Sequence, residues 1–138
     1  MQAQHTVNIK TRGQGFYEIT SEIATWLGET GIENGLLTIF CRHTSASLTI
    51  QENADRDVQY DLQNFFTSLV REDPSLYRHT CEGPDDMPAH IKSALNDVSL
   101  SIPVQASTMM LGTWQGVFLF EHRSQNHHRS IILHVIGA

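Results

Sequence analysis

The sequence predicts a single α+β domain, and three observations predict it. Short apolar runs bounded by glycine, turn residues or charge occur at Leu36–Cys41, Val117–Phe120 and Ser130–Ile136, as expected of strands buried in a sheet. Between them lie two segments with apolar residues at helical spacing, Ile23-Trp26-Leu27 and Val58-Leu62-Phe65-Phe66-Leu69. The chain has 138 residues and no repeat, linker or low-complexity tract. That length suits one domain with a core of its own.

In order, residues 4–11 alternate as a strand, Gly13-Gln14-Gly15 make a turn, and Phe16–Ile19 return as a second strand. Thr20-Ser21-Glu22 start a helix that Gly28 and Gly31 end, with Trp26 on its core-facing stripe. The turn Glu33-Asn34-Gly35 precedes the strand Leu36–Cys41, and Leu48-Thr49-Ile50 resume a strand pattern. A long helix follows from about Asp55 to Val70. The segment from Arg71 to Pro88 is polar, broken by prolines, and long enough to suggest a functional loop. Pro88 is expected to open a short helix with Ile91, Ala94 and Leu95 toward the core and His90 and Lys92 flanking them. Val98–Ile102 alternate as a half-buried strand that Pro103 ends or places at an edge. After a turn near Ser107-Thr108 comes the central strand, Val117–Phe120, from which Glu121, His122 and Arg123 emerge. Ser124–His128 read as a polar turn before the last strand.

Composition excludes several classes. The formal charge of −6 argues against broad nucleic-acid binding, which needs a basic face to displace counterions. It leaves room for a small anionic ligand held by a local basic cluster or a metal ion. No apolar run approaches a membrane span and no signal-peptide core opens the chain, so a cytoplasmic protein without membrane association is expected. Cys41 and Cys81 are too few for a disulfide scaffold and match no zinc ribbon; Cys41 reads as a small buried hydrophobe.

Eight histidines are the unusual feature. Polar groups stand where apolar elements end, at His43-Thr44-Ser45, at His90-Ile91-Lys92, and at Glu121-His122-Arg123 with Arg129; His79 lies in the long loop. No His-x-x-x-His helical zinc motif is present, so a metal site would have to be assembled from distant segments. Ser45 lacks the Gly-x-Ser-x-Gly elbow, and hydrolase chemistry there is not expected. His122, His127 and His128 read as solvated hairpin positions, and His134 as a hydrogen-bonded sheet residue.

Four stretches together resemble the YjbQ family: His43-Thr44-Ser45-Ala46; Glu52-Asn53-Ala54-Asp55 with Asp57-Val58; Glu82-Gly83-Pro84-Asp85-Asp86-Met87-Pro88-Ala89-His90-Ile91-Lys92; and Leu111-Gly112-Thr113-Trp114-Gln115-Gly116 followed by Glu121. The match runs through nearly the whole chain in order. It implies an α/β (α+β) domain built as a mixed or antiparallel β-sandwich with flanking helices, assembled as a homotrimer. It also implies a weak, secondary thiamine-phosphate synthase activity, joining a pyrimidine-methyl pyrophosphate to a thiazole phosphate with release of pyrophosphate. The family's polar positions map onto His43, Asn53, Asp57, His79, His90, Lys92, Trp114, Gln115, Glu121 and Arg129. Here the loop Ser124–His128 is His-rich, where relatives tend to carry glycine and acidic residues.

The resulting expectation is one pocket. His43, Asp57, His90 and Glu121 are its candidate catalytic groups. Lys92 and Arg129 would neutralise a pyrophosphate, Trp114 would stack a heterocycle, and Gln115 and Asn53 would bind its polar edge. His43, His79 and His90 are the candidate ligands for a divalent ion, zinc or magnesium. The alternatives are a metal-dependent enzyme acting on another small anionic substrate, or a non-catalytic module that binds a metabolite or metal.

Overall fold

The computed structural model describes all 138 residues. Eight strands and three helices follow in the order β1 (Gln2–Arg12), β2 (Gly15–Glu18), α1 (Thr20–Glu29), β3 (Gly35–Cys41), β4 (Ala46–Glu52), α2 (Arg56–Leu69), α3 (Asp86–Leu95), β5 (Ser99–Gln105), β6 (Thr108–Met109), β7 (Gln115–Glu121) and β8 (Asn126–Gly137), with a single 3₁₀ turn at Pro74–Leu76. The strands form two antiparallel sheets, a five-stranded one in the order β1-β8-β3-β5-β6 and a three-stranded one in the order β2-β7-β4. The inner faces meet in a core that includes Leu37, Ile39 and Cys41 from β3, Leu48 from β4, Val117 and Leu119 from β7, and Ile131, Leu133 and Val135 from β8. Ile23 and Leu27 of α1 join it. This is the sandwich with flanking helices that the sequence and its resemblance led one to expect.

β7 is the middle strand of the smaller sheet, and every residue from Gly116 to Glu121 is buried. Its second face carries Phe118 and Phe120, which pack with Phe16 and with Phe66 of α2. A run without polar alternation is what two covered faces require. Asp55 caps the start of α2, its carboxylate accepting the Asp57 N–H at 2.9 Å, an N-cap of the usual kind. Trp26 packs partly buried against the core, its ring stacked on His5.

Several boundaries differ from the sequence reading. α3 begins at Asp86, two residues before Pro88, and its buried face is Asp86, Pro88, Ala89 and Lys92. Ala94 and Leu95 are exposed. Apolar periodicity misplaced this face because α3 is tied to the start of β4 by polar groups, Ser93 Oγ to the Ala46 carbonyl and His90 Nδ1 to the Thr44 carbonyl. β5 continues through Pro103, which is tolerated because its only outer neighbour is the two-residue β6. β8 begins at Asn126, so the expected polar turn is shorter and His127 and His128 already lie in a strand. α2 has no buried residue, and Phe65 and Leu69 of its apolar stripe are 57% and 56% exposed. No helix is long and apolar enough to cross a membrane.

Candidate functional site

The antiparallel register of β4 and β7 divides the candidate residues into two groups. At one end Ala46 pairs with Glu121; at the other Glu52 pairs with Gln115. Six residues of strand separate the ends, about 20 Å at ~3.3 Å per residue. Asn53, Asp57, Trp114 and Gln115 gather at the second end. The Asn53 amide donates to Glu18 at 3.0 Å, the Asn53 backbone N–H donates to the Trp114 carbonyl, and Gln115 Oε1 accepts the Gly112 N–H at 2.8 Å. Trp114 is 62% exposed. Within one chain these four residues do not share a hollow with Glu121, His43 and His90, and the single pocket expected from the sequence is not formed. Strand length is the reason: motif residues at the two ends of one straight β-strand cannot converge.

The first end holds a dense polar network. Glu121 is fully buried, and its carboxylate accepts from Thr11 Oγ1 (2.6 Å), Arg129 Nε (2.7 Å) and the backbone N–H groups of His122 and Arg123, with Arg129 Nη2 completing a bidentate pair. Burial alone would raise its pKa; Arg129 and Thr11 outweigh that and hold it below the usual carboxylate range. A carboxylate saturated in this way anchors the sheets and is not free to accept a substrate proton. Arg129 is equally committed, donating also to the carbonyl and hydroxyl oxygens of Ser45 at 3.2 and 3.0 Å. Ser45 thus holds Arg129 through both its carbonyl and its hydroxyl oxygen.

His43 is excluded from metal ligation by the same accounting. Its Nε2 accepts the Ser130 backbone N–H at 2.8 Å, so that lone pair is used, and its Nδ1 faces the Arg129 guanidinium at 3.4 Å. Burial first, and then the charge of Arg129, lower its pKa and keep it neutral. His122, expected on the surface, is only 1% exposed. It lies against Phe120, with Nε2 2.8 Å from Ser47 Oγ and Nδ1 buried without a partner. Burial and the Lys92 charge push its pKa down to about 3. This Ser–His contact is sealed from solvent and has no carboxylate to orient the imidazole, so it lacks the arrangement of a catalytic triad. Lys92 is 3% exposed, forms none of the ion pairs, and is lowered in pKa by burial despite the attraction of Glu72 and Asp85.

The remaining two histidines do converge. His79 Nε2 stands 2.6 Å from Asp86 Oδ2 and 3.0 Å from Glu82 Oε2; His90 Nε2 stands 3.1 Å from the same Asp86 oxygen. One ligand atom from each of His79, Glu82, Asp86 and His90 lies within 4.8 Å of the others. His90 Nδ1 is 3.0 Å from the Thr44 carbonyl. A carbonyl only accepts, so Nδ1 carries the proton and Nε2 turns either a lone pair or a second proton toward Asp86. A bond from the far ring nitrogen to a carbonyl is what orients a metal-binding imidazole. Asp86 is fixed from behind: Arg123 donates through Nη1 to Asp86 Oδ1 (2.7 Å) and through Nε to Asp85 Oδ2 (2.9 Å). Burial alone would raise the pKa of Asp86, but His79, Glu82 and Arg123 outweigh it and keep the carboxyl ionised. The same bond to Asp86 raises the pKa of His79.

Two imidazole nitrogens and two carboxylate oxygens form a donor set that suits a borderline divalent ion such as zinc. Of the three expected metal ligands the structure brings together His79 and His90 and leaves out His43. Glu82, Asp86 and Arg123 escaped the sequence reading as site residues. The signal was present: Glu82, Asp86 and His90 recur every four residues, and the last two sit at i and i+4 on α3. A search restricted to two histidines at that spacing passes over an Asp-x-x-x-His pair.

Comparison with known proteins supplies the lineage. The family model described as "UPF0047 protein YjbQ-like" matches residues 5–138. A UPF0047 protein of Synechocystis is 52% identical over 136 residues, covering 99% of this chain and 92% of that one. The UPF0047 protein YjbQ of Salmonella typhimurium is 44% identical over 135 residues, covering 97% of each. Among solved structures, an uncharacterised YjbQ/UPF0047 family protein of Clostridium acetobutylicum superposes with a TM-score of 0.88 at 32% identity, over 96% of this chain and 99% of that one. A conserved hypothetical protein from Thermus thermophilus gives 0.84 at 32% identity, over 94% and 97%. With this match in sequence, length and fold, the chain belongs to the YjbQ/UPF0047 family.

Proposed function

We propose that the protein is a divalent-metal-dependent enzyme acting on a small phosphorylated substrate, with its centre at His79, Glu82, Asp86 and His90. The observation that carries this reading is the facing of two imidazole Nε2 atoms and two carboxylate oxygens with His90 Nδ1 already committed to a carbonyl. Without a cation between them, a neutral His90 would turn its Nε2 lone pair against the Asp86 carboxylate. A bound divalent ion supplies charge neutralisation to a phosphate leaving group. The chain's own groups do the rest: Thr44 and Arg123 hold the ligands in place, and Asp86 stays ionised across the neutral range. Thiamine-phosphate synthesis belongs to this class, because a C–N bond forms between the pyrimidine methylene carbon and the thiazole nitrogen while pyrophosphate departs. We keep it as the first reaction to assay, with a role secondary to another phosphorylated substrate.

The protein is further proposed to act as a cytoplasmic homotrimer. The uncovered apolar face of α2 supports association, and the exposed unpaired Cys81 agrees with a reducing compartment. Association would also give Trp114, Gln115, Asn53 and Asp57 of one copy a route to the metal cluster of another.

The test is metal content and turnover together. The purified protein is expected to bind zinc or magnesium stoichiometrically, to lose it in Asp86→Asn and His90→Ala, and to keep it in His43→Ala. Thiamine-phosphate formation should fall with the metal and be restored when it is added back. Absence of bound metal in the wild type under saturating conditions would end this reading. Metal binding without turnover of any phosphorylated substrate would leave a metal-binding module.

A further inference from the structure

β1 and β8 run on together beyond the rest of their sheet. The last β3 pairing is Cys41 with Ile131, whereas β1–β8 pairing continues through Lys10–His128 and Thr11–His127 to Arg12–Asn126. These six residues line an open hollow of about 270 Å³ that has no apolar side chain in its wall. Lys10, Arg12, His127 and His128 take part in no ion pair. The surrounding chain carries 15 carboxylates against 9 Lys and Arg, so a basic group left without a carboxylate partner is not what the composition favours. Direct cross-strand pairing of Lys10 with His128 adds repulsion whenever the imidazole is charged. Beneath the hollow Thr11 is buried and bonded to Glu121, and that carboxylate is itself neutralised by Arg129. His127, paired directly with Thr11, shares that inner side and donates its Nδ1–H to the Gln125 carbonyl at 2.9 Å, so the outer face of the ribbon presents three basic groups, Lys10, Arg12 and His128, beside Asn126.

We infer that this hollow is an anion-binding site for a phosphate-class dianion, taken either as a free inorganic ion or as the phosphoryl end of a small molecule. Its size lies just under the ~300–1,000 Å³ of pockets that enclose drug-sized ligands, which suits a phosphoryl group. The wall offers guanidinium, ammonium, imidazole and amide donors, the set that recognises phosphate oxygens. The site goes beyond the metal reading: it lies on the β1–β8 ribbon, while the metal cluster hangs on α3 and the loop before it.

The experiment is calorimetric titration of the full chain, in the presence of a chelator, with inorganic pyrophosphate, inorganic phosphate and glycerol phosphate. The variants are Lys10→Gln with Arg12→Gln, His128→Gln, and His90→Ala. Wild type and His90→Ala are expected to bind alike, and both ribbon variants to bind at least roughly tenfold more weakly. Ligand-free thermal midpoints of the ribbon variants should be unchanged or raised, which separates a binding role from a structural one. Binding of the inorganic ions alone, or of glycerol phosphate as well, supports the site and identifies its source. Equal affinity in the ribbon variants, no binding to the wild type, or loss only in His90→Ala would overturn it.

Discussion

The buried histidine His122 has the most direct physical consequence. Its folded-state pKa lies near 3, against about 6.5 for an exposed histidine. A group depressed in this way contributes stability above its unfolded value and loses it as pH falls toward the folded one. Between pH 6.5 and 5 the fold should lose roughly 2 kcal/mol from this residue. Burial depresses His43 in the same direction, so the variant His122→Asn is needed to isolate the effect: its urea midpoints should vary less over that interval. His79, raised by Asp86, acts at higher pH, where stability declines as pH rises through its folded value. Identical wild-type midpoints at pH 6.5 and 5 would contradict the placement of His122. Arg129 gives a second residue-scale prediction. Arg129→Met leaves Glu121 buried without its partner, and a loss of about 3–5 kcal/mol is expected in chemical denaturation. A loss under about 1 kcal/mol would mean that Glu121 finds solvent or becomes protonated.

Among the elements, α3 departs furthest from its sequence pattern. Apolar spacing pointed Ile91, Ala94 and Leu95 inward, yet the buried face carries Asp86 and Lys92. The helix is held instead by polar bonds, Ser93 Oγ to the Ala46 carbonyl at 3.1 Å and His90 to the Thr44 carbonyl. Lys92 has no ion-pair partner in this position, so its charge is a cost to stability. Lys92→Met is expected to raise the denaturation free energy by about 1 kcal/mol and to lower activity if the ammonium serves a substrate. A destabilised Lys92→Met would show that the ammonium has a net favourable partner. β7 is the contrasting case: its unbroken apolar run was legible because both faces of a central strand obey one rule, burial.

At the scale of the whole molecule, α2 is covered too little for a single chain. A helix of this length draws most of its stability from packing, and here Phe66 packs on Phe120 while Phe65 and Leu69 of the same stripe stand exposed. Phe65→Glu with Leu69→Glu should therefore shift the proposed trimer to monomer in light scattering while leaving circular dichroism unchanged. An unaltered mass would place the contact on another face, such as the outer sheet surface bearing Leu36, Phe40 and Ile136. The candidate site belongs to the same scale, since residues at the two ends of β4 and β7 do not meet within one chain.

Strand and helix identity and the family lineage were determined by the sequence itself, because periodicity and local turn chemistry are properties of short stretches. Which polar residues meet was decided only by the tertiary structure. His79 and His90 are joined by Asp86, His43 is spent on the Ser130 backbone, and Trp114 stands a strand's length from Glu121. Burial and hydrogen-bond capacity are assigned by the packing of distant segments, and no local pattern carries that information.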